Sequence, residues 1–486
     1  MRAFFSWIDP KYLAIVIVVI ALFIYDILQA GAPERLRGEI ASSNDAEFVV
    51  PYLAHADPRL ADAAWDNVSE HPREFASAIT GLLADGNLNE QIAAISAINE
   101  FNLELAPDAA WSLLQTGPAT LQAQALKYLA RTGEKIDPQI VTATYYAAIK
   151  PSDKAIIVEY GLTSLPEDQA ADLLIDALAD SSKDVKFAVL DAAKKIAGDS
   201  RMRILIEALQ YSELLAPFAI IELKKLGEDA YDVLLDALDD RRSMVVAGAA
   251  EALGEIGNPE ALEHLLGLFT DTSYDVLESA GKAAGKLADE EHFNLFFGWI
   301  QSSRPDSIKS IPAIHAFGSG KWVTAGDRLM QIASDPGFEK GLRKASIEAL
   351  GEMQYEDAYD FLYGIASDTE MTENIRRAAI TALGRFPSDR SFDFLRTALR
   401  DVTNFEVRCA AAEGLGLMSG RPEAVDELML AANDEDIDKV LNAIVKALGD
   451  LGDRRAIPAI EAARPNVFRE AVCDFAIAKI EYLNID

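Results

Sequence analysis

The sequence predicts an all-α chain, a right-handed α-solenoid of about thirteen stacked helical hairpins, preceded by one membrane-spanning helix. Three observations carry this reading. Seven glycines, Gly254, Gly285, Gly318, Gly351, Gly384, Gly416 and Gly449, follow one another at intervals of 31, 33, 33, 33, 32 and 33 residues. Each lies in an alanine-rich segment whose apolar residues are spaced by three and four, the period of a helix. Near the N terminus runs an apolar stretch of spanning length.

That stretch is Tyr12 to Ala32, YLAIVIVVIALFIYDILQAGA, which matches the roughly 20 apolar residues that a bilayer-spanning helix needs. Asp26 is its only charge, close to the end where it reaches the headgroup layer, and Trp7 and Tyr25 suit the two interfaces. The small-x-small triplet Ala30-Gly31-Ala32 also fits a cleaved signal peptide. Pro33 directly after it fits badly in a scissile strand, because proline fixes φ and lacks an N–H. The n-region is thin too, Arg2 and Lys11 being offset by Asp9, so a retained anchor is favoured over cleavage. The expected order is a short tail over 1–11, a transmembrane helix over 12–32, a juxtamembrane linker over 33–45, a solenoid over 46–463 and a capping segment over 464–486. Arg2 and Lys11 balance Arg35 and Arg37 across the span. The free terminal amine tips the balance toward an exported, extracytoplasmic (periplasmic) solenoid rather than a cytoplasmic one.

Repeats set the remainder. AAEALGEIG (Ala249 to Gly257), ASIEALGEM (Ala345 to Met353), AAITALGRF (Ala378 to Phe386), AAAEGLGLM (Ala410 to Met418) and AIVKALGDLG (Ala443 to Gly452) are copies of one segment. SAGKAAGKLA from Ser279 and AIHAFGSG from Ala313 are looser ones. Asp335, Asp368, Asp401 and Asp434 follow at intervals of 33, each after an apolar run. Aspartate there is expected to cap the next helix, accepting from its orphan N–H groups. Each unit therefore reads as helix, short turn, helix, acidic turn. Upstream the pattern decays but keeps its beat through IELKKLG at Ile221, LDAAKKIAG at Leu190, LKYLARTG at Leu126, ISAINEF at Ile95 and ADAAWDNV at Ala61. The last helix, Val467 to Tyr482, is expected to cap the array. Small residues at the recurring points let neighbouring helices approach to the close end of the ~8–10 Å range. No hairpin buries its apolar face alone, so each packs on the next. A single elongated stack on the order of 100–130 Å long follows.

At these residues the chain resembles the HEAT family, in the short variety of phycobilisome-lyase-type repeats (armadillo-like α-solenoids). The ALG cores carry the resemblance, with the arginines preceding them in GLRKA (Arg343), NIRRA (Arg376) and EVRCA (Arg408). It covers about 420 of the 486 residues. It implies a solenoid used as scaffold or adaptor and occasionally as enzyme, with Asp335, Arg343, Asp368 and Arg376 as a structural ladder between units.

Charge and chemistry narrow the function. With 45 Lys+Arg against 78 Asp+Glu the net charge is -33, which repels phosphate backbones and counts against nucleic-acid binding. Cys409 and Cys473 are too few for a disulfide framework or thiolate metal site, and read as buried apolar residues. HEAT-like iron hydroxylases carry His-Glu dyads. Here the order is reversed, Glu70-His71, Glu263-His264 and Glu291-His292, at offsets that put the last two on different faces. Gly318-Ser-Gly-Lys321 lacks the first glycine of a phosphate loop, its place being taken by His315, and no strand precedes it. Gly414-x-Gly416 sits in a helical segment and is not a dinucleotide fingerprint. Asp434, Glu435, Asp436 and Asp438 lack the glycine and final glutamate of a calcium loop. No catalytic residue, cofactor or metal site is therefore expected.

The candidate partner-binding residues are Phe293, Phe296, Phe297, Trp299 and Trp322. They crowd one stretch in which Pro312 interrupts a helical segment. The competing reading is that these rings fill the gap left by an irregular unit. The expected function is a membrane-anchored, non-catalytic protein-interaction scaffold or subunit of a membrane complex. It would dock a protein with basic patches along an acidic surface. The alternative is a bilin-lyase-like enzyme acting on a client protein, implied by the resemblance alone.

Overall fold

The computed structural model describes residues 34–162, 165–211, 215–301, 307–401, 403–466 and 470–483. The expected tail and transmembrane helix over 1–32 lie outside them. Among the described residues no helix is long and apolar enough to cross a membrane, and none forms a strand. The chain divides into two compact units, one up to Ser200 and one from Arg201 onward.

In the first unit, helices α1 (Pro58–Glu70), α2 (Leu88–Glu100) and α3 (Ala119–Arg131) belong to successive hairpins. Asp57 caps α1 ahead of Pro58, and Asn87 with Glu90 forms a reciprocal capping box on α2. Buried alanines (Ala63, Ala94, Ala125) lie on the packed faces.

The second unit holds the regular repeats. One layer comprises α4 (Ala216–Leu226), α5 (Ser243–Ile256), α6 (Tyr274–Leu287), α8 (Ser307–Ser319), α10 (Lys340–Glu352), α12 (Glu373–Leu383), α14 (Phe405–Gly416), α16 (Asp438–Leu451) and α17 (Glu470–Leu483). Each packs on the next. The second layer includes α7 (Glu290–Ile300), α9 (Gly326–Ser334), α11 (Tyr359–Ser367), α13 (Asp389–Leu399) and α15 (Pro422–Asn433). The recurring glycines are the seam of the first layer. A Cβ on Gly254 would stand 2.7 Å from Ala283 Cα, one on Gly351 2.7 Å from Ala382 Cβ, and one on Gly384 2.1 Å from Gly414 O. The helices thus meet at backbone distance, as the small residues led one to expect. A two-layer stack curves toward its tighter layer, so the glycine seam marks the inner side of this unit. Phe475 on α17 meets Phe218 on α4, ring centroids 5.7 Å apart, so the last helix of this layer touches the first. The described part of the expected capping helix, from Glu470, is itself a further helix of the seam, with Gly449 set 2.8 Å from Ala476 Cα by the same measure.

One expectation for the turns is corrected. Asp335, Asp368 and Asp401 do not cap the following helix. Each accepts from a backbone N–H two residues on, that of Gly337 (2.8 Å), Glu370 (2.9 Å) and Thr403 (2.9 Å) respectively. This is the local bond that a short aspartate side chain reaches most easily. Asn404 caps α14 instead, and Glu435 rather than Asp434 makes the corresponding bond, to Ile437 N–H (2.8 Å). The arginines tie one unit to the next, chiefly through backbone carbonyls. Arg343 and Arg376 each donate Nε to a carbonyl ten residues back, Ala333 O and Ala366 O, both at 3.0 Å. They clamp α10 to α9 and α12 to α11 across the acidic turn. Arg408 does the same to Leu399 O and also meets Glu435.

A charged groove on the glycine-seamed layer

Helix α8 lies deep in its layer because its neighbour carries glycine where the two cross. A Cβ on Gly281 would fall 2.3 Å from Pro312 O, and one on Gly285 2.2 Å from Ala316 O. Pro312, expected to disturb its helix, sits at that crossing inside α8. One turn on is His315, 1% exposed.

Side chains of α6 and α10 meet over this recessed helix. Lys344 Nζ stands 5.3 Å from the Tyr274 ring centroid, and Tyr274 Oη lies 3.4 Å from His315 Nε2. Within α6, Lys282 Nζ donates to Glu278 (2.6 Å); within α10, Lys344 pairs with Glu348 (3.2 Å). On either flank the charges pair between helices instead. Glu255 on α5 takes both Lys224 and Lys286, and Glu406 on α14 takes both Arg377 and Lys439.

Two depressions open on this face. One, of about 510 Å³, runs from α6 to α14 and is lined by Glu278, Lys282, Lys344, Glu348, Glu352, Arg377, Arg385 and Glu413. The other, of about 280 Å³, joins it at Glu278 and has an apolar bed of Pro217, Ile220, Met244 and Ala247 beneath Glu251 and Asp275.

Burial shapes the charges here. It pushes the His315 imidazole down to about 4, with Lys282 and Lys344 adding to the effect against Glu278, so His315 is neutral at pH 7. Burial also raises the Tyr274 hydroxyl and the Glu348 carboxyl above their usual ranges. Glu251 is exposed, yet the protein crowded around it raises its carboxyl as well. For Glu278 burial acts upward, but the basic groups around it, Lys282 foremost and Lys344 among them, together outweigh it and leave the carboxyl below its usual value. Two shielded atoms, His315 Nδ1 and Glu348 Oε2, have no hydrogen-bond partner, and such clusters of perturbed groups in a concavity favour binding sites.

The aromatic residues singled out in the sequence do come together, but away from this groove. Phe293, Phe296, Phe297 and Trp299 lie on α7 and Trp322 in the turn after α8. Phe293 meets Trp322 and Phe317 at 5.4 Å each, and Phe296, fully buried, meets Phe269 at 5.6 Å. The cluster fills the space between the layers around Phe317, with Phe293, Phe297, Trp299 and Trp322 half-buried at its rim.

The groove residues escaped the sequence reading, although a signal exists. Three residues before the successive seam glycines stand Glu251, Lys282, His315, Glu348, Thr381, Glu413 and Lys446. One residue after them stand Glu255, Lys286, Ser319, Glu352, Arg385, Leu417 and Asp450. Columns four apart share a helix face. Read down the repeats, they are rich in charge. The cysteines fit their expectation: both are buried, and burial pushes the Cys409 thiol up to about 11. Among the described residues no three His, Cys, Asp or Glu side chains gather as a metal set.

Comparison with known proteins finds HEAT repeats at residues 202–285, 326–408 and 398–472. No curated relative matches by sequence. Among solved structures, human deoxyhypusine hydroxylase in complex with glycerol is similar at 17% identity and a TM-score of 0.30, over 55% of this chain and 99% of that one. Kap121p bound to Pho4p is similar at 12% identity and a TM-score of 0.39, over 89% of this chain and 56% of that one. Kap121p bound to Nup53p gives 13% identity and a TM-score of 0.38 over the same shares. The chain thus spans a little over half of the Kap121p structures.

Proposed function

Because the chain belongs to the HEAT-repeat proteins, we propose that it is a non-catalytic protein-interaction scaffold, tethered to a membrane by residues 12–32. The observation that carries the reading is the groove on the glycine-seamed layer. A deep, charged face has been assembled from the same few helix positions in several repeats, and some of its buried polar atoms have no internal partner. A repeat array whose inner columns are charged offers a continuous docking surface. The acidic balance of the chain favours a partner with basic patches, held by contacts that weaken with salt. The anchor and the extracytoplasmic placement of the solenoid rest on the apolar run and its flanking charges.

The test is recovery of tagged full-length protein from native membranes in mild detergent, beside a Glu251→Lys/Glu278→Lys variant and an outer-layer control, Asp393→Lys. The expected result is a stoichiometric partner that follows the wild type and the control, is lost from the groove variant, and dissociates as salt is raised. Recovery of the chain alone, or equal retention by all three, would overturn the reading. Removing residues 1–33 should release the protein from carbonate-washed membranes; persistence there would exclude the anchor.

A further inference from the structure

Most charges in the larger depression are satisfied internally. Lys282 has Glu278, Lys344 has Glu348, and Arg377 has Glu406 and Glu413. Two are not. Glu352 and Arg385, in the same column of adjacent repeats, make no ion pair with each other or with any other described residue, and Arg385 is exposed. On the Glu352 side, one turn back on α10, Glu348 spends one oxygen on Lys344 while Oε2 has no donor. Midway along, the depression therefore carries an anionic pole on α10 and a cationic pole just past α12, roughly one helix spacing of ~8–10 Å apart.

A ligand that matches both poles carries opposite charges at that separation. In an extended chain rising about 3.3 Å per residue, this is two or three residues. A uniformly basic segment would leave Arg385 opposed, and a uniformly acidic one would crowd Glu348 and Glu352. We infer that the groove between α6 and α14 seats an extended segment of the partner bearing a basic and an acidic side chain two or three residues apart, the basic one on Glu348 and Glu352 and the acidic one on Arg385. The inference rests on the scaffold reading and sets its charge order. Lys282 and Lys344, held by their own glutamates, frame the segment without reading it.

The experiment is selection of a random dodecapeptide phage library on the purified full-length protein, followed by fluorescence anisotropy of the enriched peptides. The peptides are measured against wild type, Glu348→Gln/Glu352→Gln, Arg385→Gln and the charge-exchanged Glu352→Arg/Arg385→Glu, with circular dichroism confirming that each variant is folded. Enriched peptides should share a basic and an acidic residue two or three apart. Each Gln variant should weaken them about tenfold, and the exchanged protein should prefer peptides with the two charges swapped. Absence of enrichment, enriched peptides without the paired charges, or binding to the Gln variants within twofold of wild type would each overturn the inference. If those results coexist with a partner that the Glu251→Lys/Glu278→Lys variant loses, the scaffold stands and its partner is read elsewhere on the layer. If that partner is missing as well, both readings fall.

Discussion

The two units solve one packing problem by different physics. From Arg201 onward, neighbouring helices are joined by shape. Gly254, Gly351 and Gly384 leave room for the next backbone and form no bond across the seam with a side chain, having none. In the unit up to Ser200, bonds do the joining. Asn67 of α1 donates Nδ2 to the carbonyls of Ile40 and Ser43. Asn99 of α2 donates to Gln124 O on α3 at 3.0 Å. Tyr128 Oη of α3 both donates to Leu105 O (2.7 Å) and accepts from Leu105 N–H (2.9 Å). Asn67 and Asn99 lie 32 residues apart, so the beat survives while the joint changes. A seam made by shape demands that nothing be added. One made by buried hydrogen bonds demands that nothing be removed.

The comparison breaks most sharply at Gly384. Its Cβ would overlap Gly414 O, a backbone atom that moves only with its helix. Gly384→Val should therefore destabilise the second unit by about 3 kcal/mol or more, the upper end for overpacking. Asn99→Ala removes a donor from the part-buried Gln124 carbonyl and should cost about 1–2 kcal/mol. Urea unfolding of the two variants checks the order. A Gly384→Val protein as stable as wild type would show that the seam is loose, and a neutral Asn99→Ala that water replaces the amide.

These joints also explain what the sequence made legible. The glycine seam is a backbone constraint, so every copy must solve it alike, and the repeat stands out. Asn67 and Asn99 do the same work with a residue that has many other uses, and nothing in AWDNV or ISAINEF marks it. The groove was hidden for a third reason. Glu251, Lys282, His315 and Glu348 differ in type from copy to copy, so a search for sameness passes over them. Only their column, three before the glycine, is constant. The aromatic run drew attention because bulky rings are rare among alanines, yet Phe296 and Phe317 are where the layers need volume. The turn aspartates were assigned to the wrong bond because capping and local turn bonds call for the same residue.

A second, smaller test sharpens the contrast between the recessed helix α8 and its neighbours. His315 is neutral and buried where other copies place exposed or half-buried side chains. Its folded pKa, about 4, lies below the unfolded value of about 6.5, so the unfolded chain binds the proton more readily. By linkage, stability falls as pH drops below about 6.5 and continues to fall until about pH 4; above that window His315 contributes no pH dependence. Between pH 7 and 4.5 the loss is about 2–3 kcal/mol. Chemical denaturation at pH 7, 5.5 and 4.5 should show wild type losing more stability than His315→Gln over this interval. Parallel losses in the two proteins would mean that His315 is protonated in the fold.

The smallest expected effect separates conformation from contact in the seam itself. Just past five of the seven seam glycines the chain turns through the left-handed region, at Gly257 (φ 85), Gly420 (φ 84) and Gly452 (φ 70), but also at Lys321 and Gln354 (both φ 54). A Cβ at Gly257 would touch nothing within 4 Å, so Gly257→Ala should cost only the left-handed backbone, about 1 kcal/mol. The reverse change, Lys321→Gly, relieves that strain but frees the unfolded chain, leaving a gain of about 0.5 kcal/mol. Gln354→Gly should gain less than Lys321→Gly, because Gln354 Nε2 donates to Arg385 O in the next repeat. Melting temperatures of the three variants rank them. Equal shifts for Lys321→Gly and Gln354→Gly would show that the Gln354 bond adds nothing, leaving glycine alone to hold that joint.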